Sequence, residues 1–532
     1  MAGPGKKIGF TFLTVAVLLG AAEFGLRFTM PDLEDVVSPL IYQRNSGQAF
    51  VPGDAPGSRT YVSGRQRVVS NKAPGKRVLV FGASAAFGEM FSPFTAFPGQ
   101  AEQLLRDAAP SVPIEILNLA HGGMGSRQVA EMVFRALEND NPDLIVVYTG
   151  NNEYHELRAL KARSDRYDPK AELLRRRLSA SYLYRQLRDW FMPAETATSL
   201  QGQDDWLPIG RMDVTVDQDD RELGRRLYKE HLQNVVLAAK DRGIPVLLTT
   251  VASNTRGHLD NGTPGKPTEA EQKALHELHG MAGSVPKARF TAEASARMSL
   301  IQTESGWHKL GNLYLKVGMV EIAADAFERK ELAALRPMTS NRALRDVVKN
   351  LSKRHGVAMC DLAGALAQVS EHGIPGDEHF IDHCHPNADG HFIMGRALAV
   401  CILKQDLLDL GQAAAPEWIQ AQALTGFENP FRVDHFSGHR PIPGSKTNLT
   451  PGDPSTAEGQ ALRGHQAFVA ERYDRALHAY QEAQSLGGDA PSLDISMGLT
   501  HLFRGDMTAA KVALQRAVDG GSTDAEAHLA AL

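Results

Sequence analysis

The sequence predicts an α/β protein, a five-stranded parallel sheet with helices on both faces, followed by a separate all-α segment. Three observations predict it. Five short apolar runs, at 77–81 (RVLVF), 114–119 (IEILNL), 144–149 (LIVVYT), 245–251 (PVLLTTV) and 357–360, have the length and composition of buried strands. Helical stretches at about 97–109, 221–241 and 341–355 lie between them, and strands alternating with helices argue for a parallel sheet covered on both sides. Near the end of the chain, Gly464, Ala476, Tyr480 and Ala483 recur 34 residues later as Gly498, Ala510, Leu514 and Ala517, the period of a helical-hairpin repeat.

The chain opens on an address. Lys6 and Lys7 precede an apolar stretch at 8–22, which Glu23 and Arg27 interrupt. The stretch is short for a membrane span, but Leu26 and Phe28 extend its apolar character. The positive flank keeps that end in the cytoplasm and sends the rest across. Residues 1–30 are therefore expected to be an uncleaved anchor, with the remainder extracytoplasmic. Small residues at Gly20, Ala21 and Ala22 leave a cleaved signal peptide, and a secreted or periplasmic product, as the alternative. Residues 31–74 read as a linker.

Each of the first three strands ends at chemically useful residues. Ser84 lies just past the carboxyl end of the first, the edge where open α/β sheets bind ligands. No helix is expected until about residue 97, so Gly82-Ala83-Ser84-Ala85-Ala86 does not read as a strand–nucleophile–helix elbow. The second strand leads into NLAHGGMG, where Gly123 can bring a backbone N–H close to a substrate. The third leads into YTGNNEYHE, where the Asn152 side chain offers a neutral amide donor. After the fifth strand comes FIDHCHPNADGH. Its Asp382 and His385 are spaced so that a turn can fold the carboxylate against one imidazole nitrogen while the other faces outward. Pro386 disfavours helix at His385, and Asn387 is a good N-cap for a helix through His391 and Leu398. A serine hydroxyl needs a base, a carboxylate to orient that base and donors for the oxyanion it generates. The four segments supply them: Ser84 as nucleophile, His385 as base, Asp382 as its partner, and the Ser84 amide, Gly123 and Asn152 as the oxyanion hole.

These segments resemble the four blocks of the SGNH, or GDSL-type, hydrolases. The match covers roughly 75–155 and 340–405, with two departures: Ala83 stands where the family has Asp, and Glu153 follows Asn152 where the family has Asp. The resemblance implies a flavodoxin-like three-layer α/β/α fold and an ester hydrolase working through an acyl-enzyme on an ester or acylated glycan of the cell envelope. The same residues serve an O-acyltransferase moving acyl groups to or from a polysaccharide, and the repeats leave a catalytically silent interaction scaffold as a third reading.

The hydrolase region spans 75–410, with a helical insertion at about 158–336. Within it Trp307, Leu310, Gly311, Tyr314, Gly318, Ala323 and Phe327 follow the tetratricopeptide signature as one isolated unit, 305–336. A single unit cannot bury its own face, so neighbouring structure must cover it. A Pro-, Gly- and Ser-rich linker at 411–456 leads to the repeats at 457–532, which read as a surface for a protein partner, with a third copy starting near Thr523. The formal net charge of -5 leaves no basic footprint for nucleic acid. Three cysteines, Cys360, Cys384 and Cys401, make no disulfide framework. His379, His383, Cys384, His385, Asp389 and His391 crowd one segment. Alternate residues of an extended chain face apart, so His383 and His385 are not expected to join Cys384 around an ion, and no metal or other cofactor is expected.

Overall fold

The computed structural model describes residues 17–29, 50–52, 58–62, 66–70, 74–88, 96–163, 167–178, 181–191, 214–257, 266–410, 455–469, 473–504 and 506–522, with 525, 526 and 529 beyond. Residues 8–16 of the expected anchor, nearly all of the 411–456 linker and most of the third repeat copy lie outside them. Residues 17–26 form helix α1. Among the described residues no helix is long and apolar enough to cross a membrane.

The stretch expected to be a leading linker contains structure. Strands β1 (Phe50–Pro52), β2 (Ser58–Val62) and β3 (Gln66–Ser70) pair in order as a small antiparallel sheet. Arg59 to Val62 and Arg67 to Val69 mix polar with β-branched or aromatic residues, a strand signal too short to stand out beside the long apolar runs.

The main sheet follows the predicted runs: β4 (Lys76–Gly82), β5 (Ile114–Asn118), β6 (Leu144–Tyr148), β7 (Val246–Thr249) and β8 (Ala358–Cys360). All pairings are parallel, in the order β5-β4-β6-β7-β8. Helices α2 (Ser84–Phe87) and α3 (Phe97–Ala108) follow β4, α4 (Ser126–Asn139) follows β5, and α5 (Glu153–Arg163), α6 (Pro169–Leu178), α7 (Tyr182–Phe191) and α8 (Gln218–Asp241) follow β6. Between β7 and β8 stand α9 (Glu269–Met281), α10 (Lys287–Arg297), α11 (Glu304–Lys316), α12 (Val320–Ala333) and α13 (Arg342–His355). Then come α14 (Leu362–Val369) and α15 (Ala388–Lys404), and the C-terminal hairpins α16 (Ala457–Val469) with α17 (Tyr473–Ser485) and α18 (Ala490–Arg504) with α19 (Met507–Asp519).

Every strand side chain from Val78 to Phe81 is buried, because period-two alternation sends neighbours into different cores. Leu79 and Phe81 join α4, α8 and α13 on one face, while Val78 and Val80 join α3 and α15 on the other. The result is a three-layer α/β/α sandwich. Burying one side chain such as Phe81 stabilises the fold by about 2–3 kcal/mol.

The cysteine expectation is corrected here. Cys360, the last residue of β8, is disulfide-bonded to Cys401 on α15. Their Cα atoms are 5.8 Å apart although 41 residues separate them in sequence, so only the packing of α15 beside the sheet edge makes the pair.

The unit around Trp307 is not isolated. α9 and α10 form a preceding hairpin, and Leu275, Leu278 and Phe290 share one core with Trp307, Leu310, Tyr314 and Phe327. Three of the hairpins, all but α9–α10, place a small residue against a large one. A Cβ on Gly311 would come within 2.8 Å of the Phe327 ring, on Gly464 within 2.6 Å of the Tyr480 ring, and on Gly498 within 2.8 Å of Leu514. Glycine at these points lets paired helices approach closely.

Candidate active site

Ser84 begins a helix directly. Ala83 is extended, and α2 runs for four residues before Gly88 ends it in the left-handed conformation. This corrects the expectation that no helix follows before about residue 97. The cause is local, since Ala85 and Ala86 favour helix and Gly88 stops it at once. As the first helical residue, Ser84 presents an N–H that has no acceptor within the helix. Asn118, the last residue of β5, donates its side-chain amide to Ala86 O at 2.8 Å and ties the turn to the neighbouring strand.

The loop before α15 carries His385, the predicted base. His385 Nε2 lies 2.7 Å from Ser84 Oγ, although 301 residues separate the two, and His385 Nδ1 lies 2.6 Å from Asp382 Oδ2. The loop is closed on itself: Asp382 Oδ1 accepts the backbone N–H groups of Cys384 (2.9 Å) and His385 (2.8 Å), and Ile381 N donates to His385 O. Burial works to raise the Asp382 pKa, but the hydrogen bond and charge of His385, the charge of His383 and the Cys384 N–H overcome it and hold the carboxyl well below the usual carboxylate range. An ionised Asp382 takes the Nδ1 proton as its hydrogen bond, leaving Nε2 as the acceptor for the serine hydroxyl. Asn387 caps α15 as expected, its Oδ1 accepting Gly390 N at 2.9 Å.

The donor side is built from two loops. Gly123 has φ +75°, a left-handed conformation that a residue with a side chain adopts only under strain. Asn152 donates one amide hydrogen to Met124 O at 3.1 Å, so the two predicted donors belong to a single hydrogen-bonded unit. Behind it sits a buried cluster around Glu153, whose carboxylate accepts Ser126 N at 3.0 Å and Ser126 Oγ at 2.5 Å. His231 Nδ1 lies 2.8 Å from the same Ser126 hydroxyl. A hydroxyl has one hydrogen, so with that hydrogen on the Glu153 carboxylate the His231 bond is donated by Nδ1–H. Burial first, then the charges of Arg127 and Arg176, push the His231 pKa down to about 3 and keep the ring neutral. Glu153, which follows Asn152, thus ties the Asn152 loop to the start of α4, just after the Gly123 loop.

Asn254, beyond the end of β7, holds the base loop. Its N–H donates to His383 O at 2.9 Å, and its side chain donates to Asp382 O at 3.0 Å and Asp377 Oδ1 at 2.7 Å. The helical insertion sits on the same segment: Lys330 Nζ donates to Thr255 O at 2.8 Å, His308 Nε2 lies 2.9 Å from Arg256 O, and Thr255 Oγ1 donates to Glu331 at 3.1 Å. Sequence reading missed Asn118, Ser126, His231 and Asn254. Only Asn118 carried a local signal, as a polar residue ending an apolar strand.

Among the described residues one group could gather a metal ion: ligand atoms of Asp382, His383 and Cys384 lie within 4.8 Å of one another. The loop's turn brings His383 and Cys384 together, which corrects the extended-chain expectation that they face apart. His385 is taken up by Ser84 and Asp382. Burial raises the Cys384 pKa, but the His383 and His385 charges outweigh it and leave the thiol below its ordinary value.

No family model and no curated protein matches the chain. Solved structures similar to it include an acetyl xylan esterase variant from Geobacillus stearothermophilus (13% identity, 62% of this chain and 95% of that one, TM-score 0.29). A GDSL-like lipase from Bacteroides thetaiotaomicron is similar over 62% of this chain and 89% of its own, at 11% identity and a TM-score of 0.28. Likenesses this distant decide nothing about activity, which rests on the site's own geometry.

Proposed function

We propose that this chain is an SGNH-type serine hydrolase that cleaves carboxylic esters through an acyl-enzyme. One observation carries the reading: the continuous relay from Asp382 through His385 to Ser84, with both hydrogen bonds under 3 Å. His385 Nε2 takes the hydroxyl proton as Ser84 Oγ attacks the ester carbonyl, and Asp382 stabilises the imidazolium that forms. The oxyanion is held by the Ser84 N–H, the Gly123 loop and the Asn152 amide. His385 returns its proton to the leaving alcohol, and water, activated by the same ring, releases the acid.

The site is extracytoplasmic and tethered by the N-terminal segment. The Lys6–Lys7 flank ahead of residues 8–22 supports this reading, as does the Cys360–Cys401 pairing, since disulfides persist in oxidising compartments. The helical hairpins are tetratricopeptide-type units that recruit a protein partner, a reading supported by the repeated glycine-to-large-residue contacts.

A fluorophosphonate probe tests the chemistry, because it labels an activated serine whatever the substrate. The folded protein is expected to label, and Ser84→Ala to abolish both labelling and ester turnover with its melting temperature nearly unchanged. Labelling that survives Ser84→Ala assigns the chemistry to another serine.

A further inference from the structure

We propose that α6 and α7 lie on the membrane surface beside the N-terminal segment, so that the hydrolase is docked on the bilayer and not merely tethered to it. This rests on the anchor reading above and adds a second contact to it.

The depth of α7 follows from one hydrogen-bonded carboxylate. Glu23 is the first charged residue after the apolar stretch, so in an anchored chain it lies in the segment 23–28 where the chain leaves the hydrocarbon. Its carboxylate receives the N-terminus of α7: Tyr182 N donates to it at 3.0 Å, Leu183 N at 2.9 Å and Ser181 Oγ at 2.8 Å. A helix that begins on this carboxylate begins at the same level, the lipid–water interface.

The surface around that contact has the chemistry of an interface. Leu174 and Leu178 stand one turn apart on α6 with 56% and 42% exposure, and Leu187 of α7 is 40% exposed. Phe24 on α1 and Phe28 in the turn that follows it are exposed too, at 65% and 76%. Apolar groups this open, on α1, on α7, which begins on Glu23, and on α6, whose last residue Leu178 accepts Ser181 N, mark a binding surface. The charges specify lipid. Arg177 is exposed beside Leu178, and Arg27, an exposed guanidinium, lies 5.8 Å from the ring centre of Tyr182 at the start of α7. Exposed guanidinium groups beside an apolar layer match anionic headgroups over acyl chains.

The test uses the full chain reconstituted in phosphatidylcholine vesicles containing phosphatidylglycerol. Single-cysteine variants Leu178→Cys and Leu187→Cys carry an environment-sensitive fluorophore, and spin-labelled lipids are the quenchers. Phe24→Cys reports the tether itself, and Leu486→Cys, exposed on the C-terminal hairpins, reports bulk water. Native thiols interfere little, because Cys360 and Cys401 are paired and Cys384 is buried. Labels at 24, 178 and 187 are expected to be quenched several times more than the label at 486. Quenching at 24 alone overturns the docked face and leaves the tether standing. No quenching at 24 overturns the anchor reading and the docked face with it. Labels at 178 and 187 that are shielded from water yet unquenched by lipid overturn the proposal in favour of a protein covering the face.

Discussion

Asn152 and Glu153 are adjacent, yet in the proposed mechanism they stand at different removes from the reacting carbonyl. Asn152 donates directly to charge that develops in the transition state, so Asn152→Ala is expected to lower kcat by roughly a hundred- to a thousand-fold with a smaller change in KM. An effect confined to KM would make it a ground-state binding residue. Glu153 acts through others, by fixing Ser126 and with it the loop that carries Gly123. Glu153→Gln keeps the shape but weakens that clamp, and kcat is expected to fall by about tenfold to a hundredfold with KM nearly constant, since small misplacements of catalytic donors are costly. Steady-state kinetics on one small ester separates the two cases. Glu153→Asp, which restores the residue type of the resembled family on a shorter stem, is expected to fall between Gln and the native enzyme. The departure at Glu153 was visible in the sequence. Its partners were not, because Ser126 and His231 are 105 residues apart and nothing in either local pattern names the other.

Helices α8 and α15 each bury a histidine, His231 against Ser126 at the start of α4 and His391 against Phe97 at the start of α3. Burial is the main cause that pushes both His231 and His391 down to about 3, and His391 is further lowered by the charge of His385. Each ring stays neutral in the folded protein and charges on unfolding, so the unfolded chain binds more protons below the ordinary histidine pKa. Stability is therefore lost as pH falls from about 6.5 to about 3, by up to about 1.4 kcal/mol per pH unit per histidine. Urea titrations of the native protein and of His391→Asn, whose side-chain oxygen can still accept Phe97 N–H, measure this. The variant is expected to lose less stability than the native protein over that window, and parallel pH dependences would show that His391 is not the source. Among the elements, the five strands were legible because burial on both faces makes β4, β6 and β7 nearly continuous apolar runs, while the edge strands β5 and β8, only partly buried, still carry mainly apolar residues. The short α2 and the small antiparallel sheet were not, since four-residue helices and polar-mixed strands resemble loops.

At the scale of the whole molecule, the two helical additions differ in what they share with the sheet. The C-terminal hairpins form cores of their own, built around Tyr480, Leu493 and Leu499, whereas the α9–α12 insertion is bonded to residues 253–257, the segment that also holds the base loop. Truncation near Ser455 is expected to preserve turnover of p-nitrophenyl acetate while losing partner binding. Lys330→Ala, which releases Thr255 O, is expected to lower kcat without unfolding the protein. A soluble, folded Ser455 truncation that is inactive on the small ester would show that the C-terminal hairpins help to build the site.

Local signals were enough to place the strands, the serine beyond β4, the Asp-x-x-His turn and the 34-residue period. Each is written in a few consecutive residues or in a fixed spacing, so hydrophobic periodicity and turn chemistry expose it. Tertiary structure alone decided that Cys360 meets Cys401, that Asn254 holds the base loop, that Glu153 clamps the donor loops and that the Trp307 hairpin packs on another. These are contacts between residues far apart in the chain, chosen by which faces the sheet and its helices bring together, and no local pattern of apolar, polar or turn residues encodes the choice.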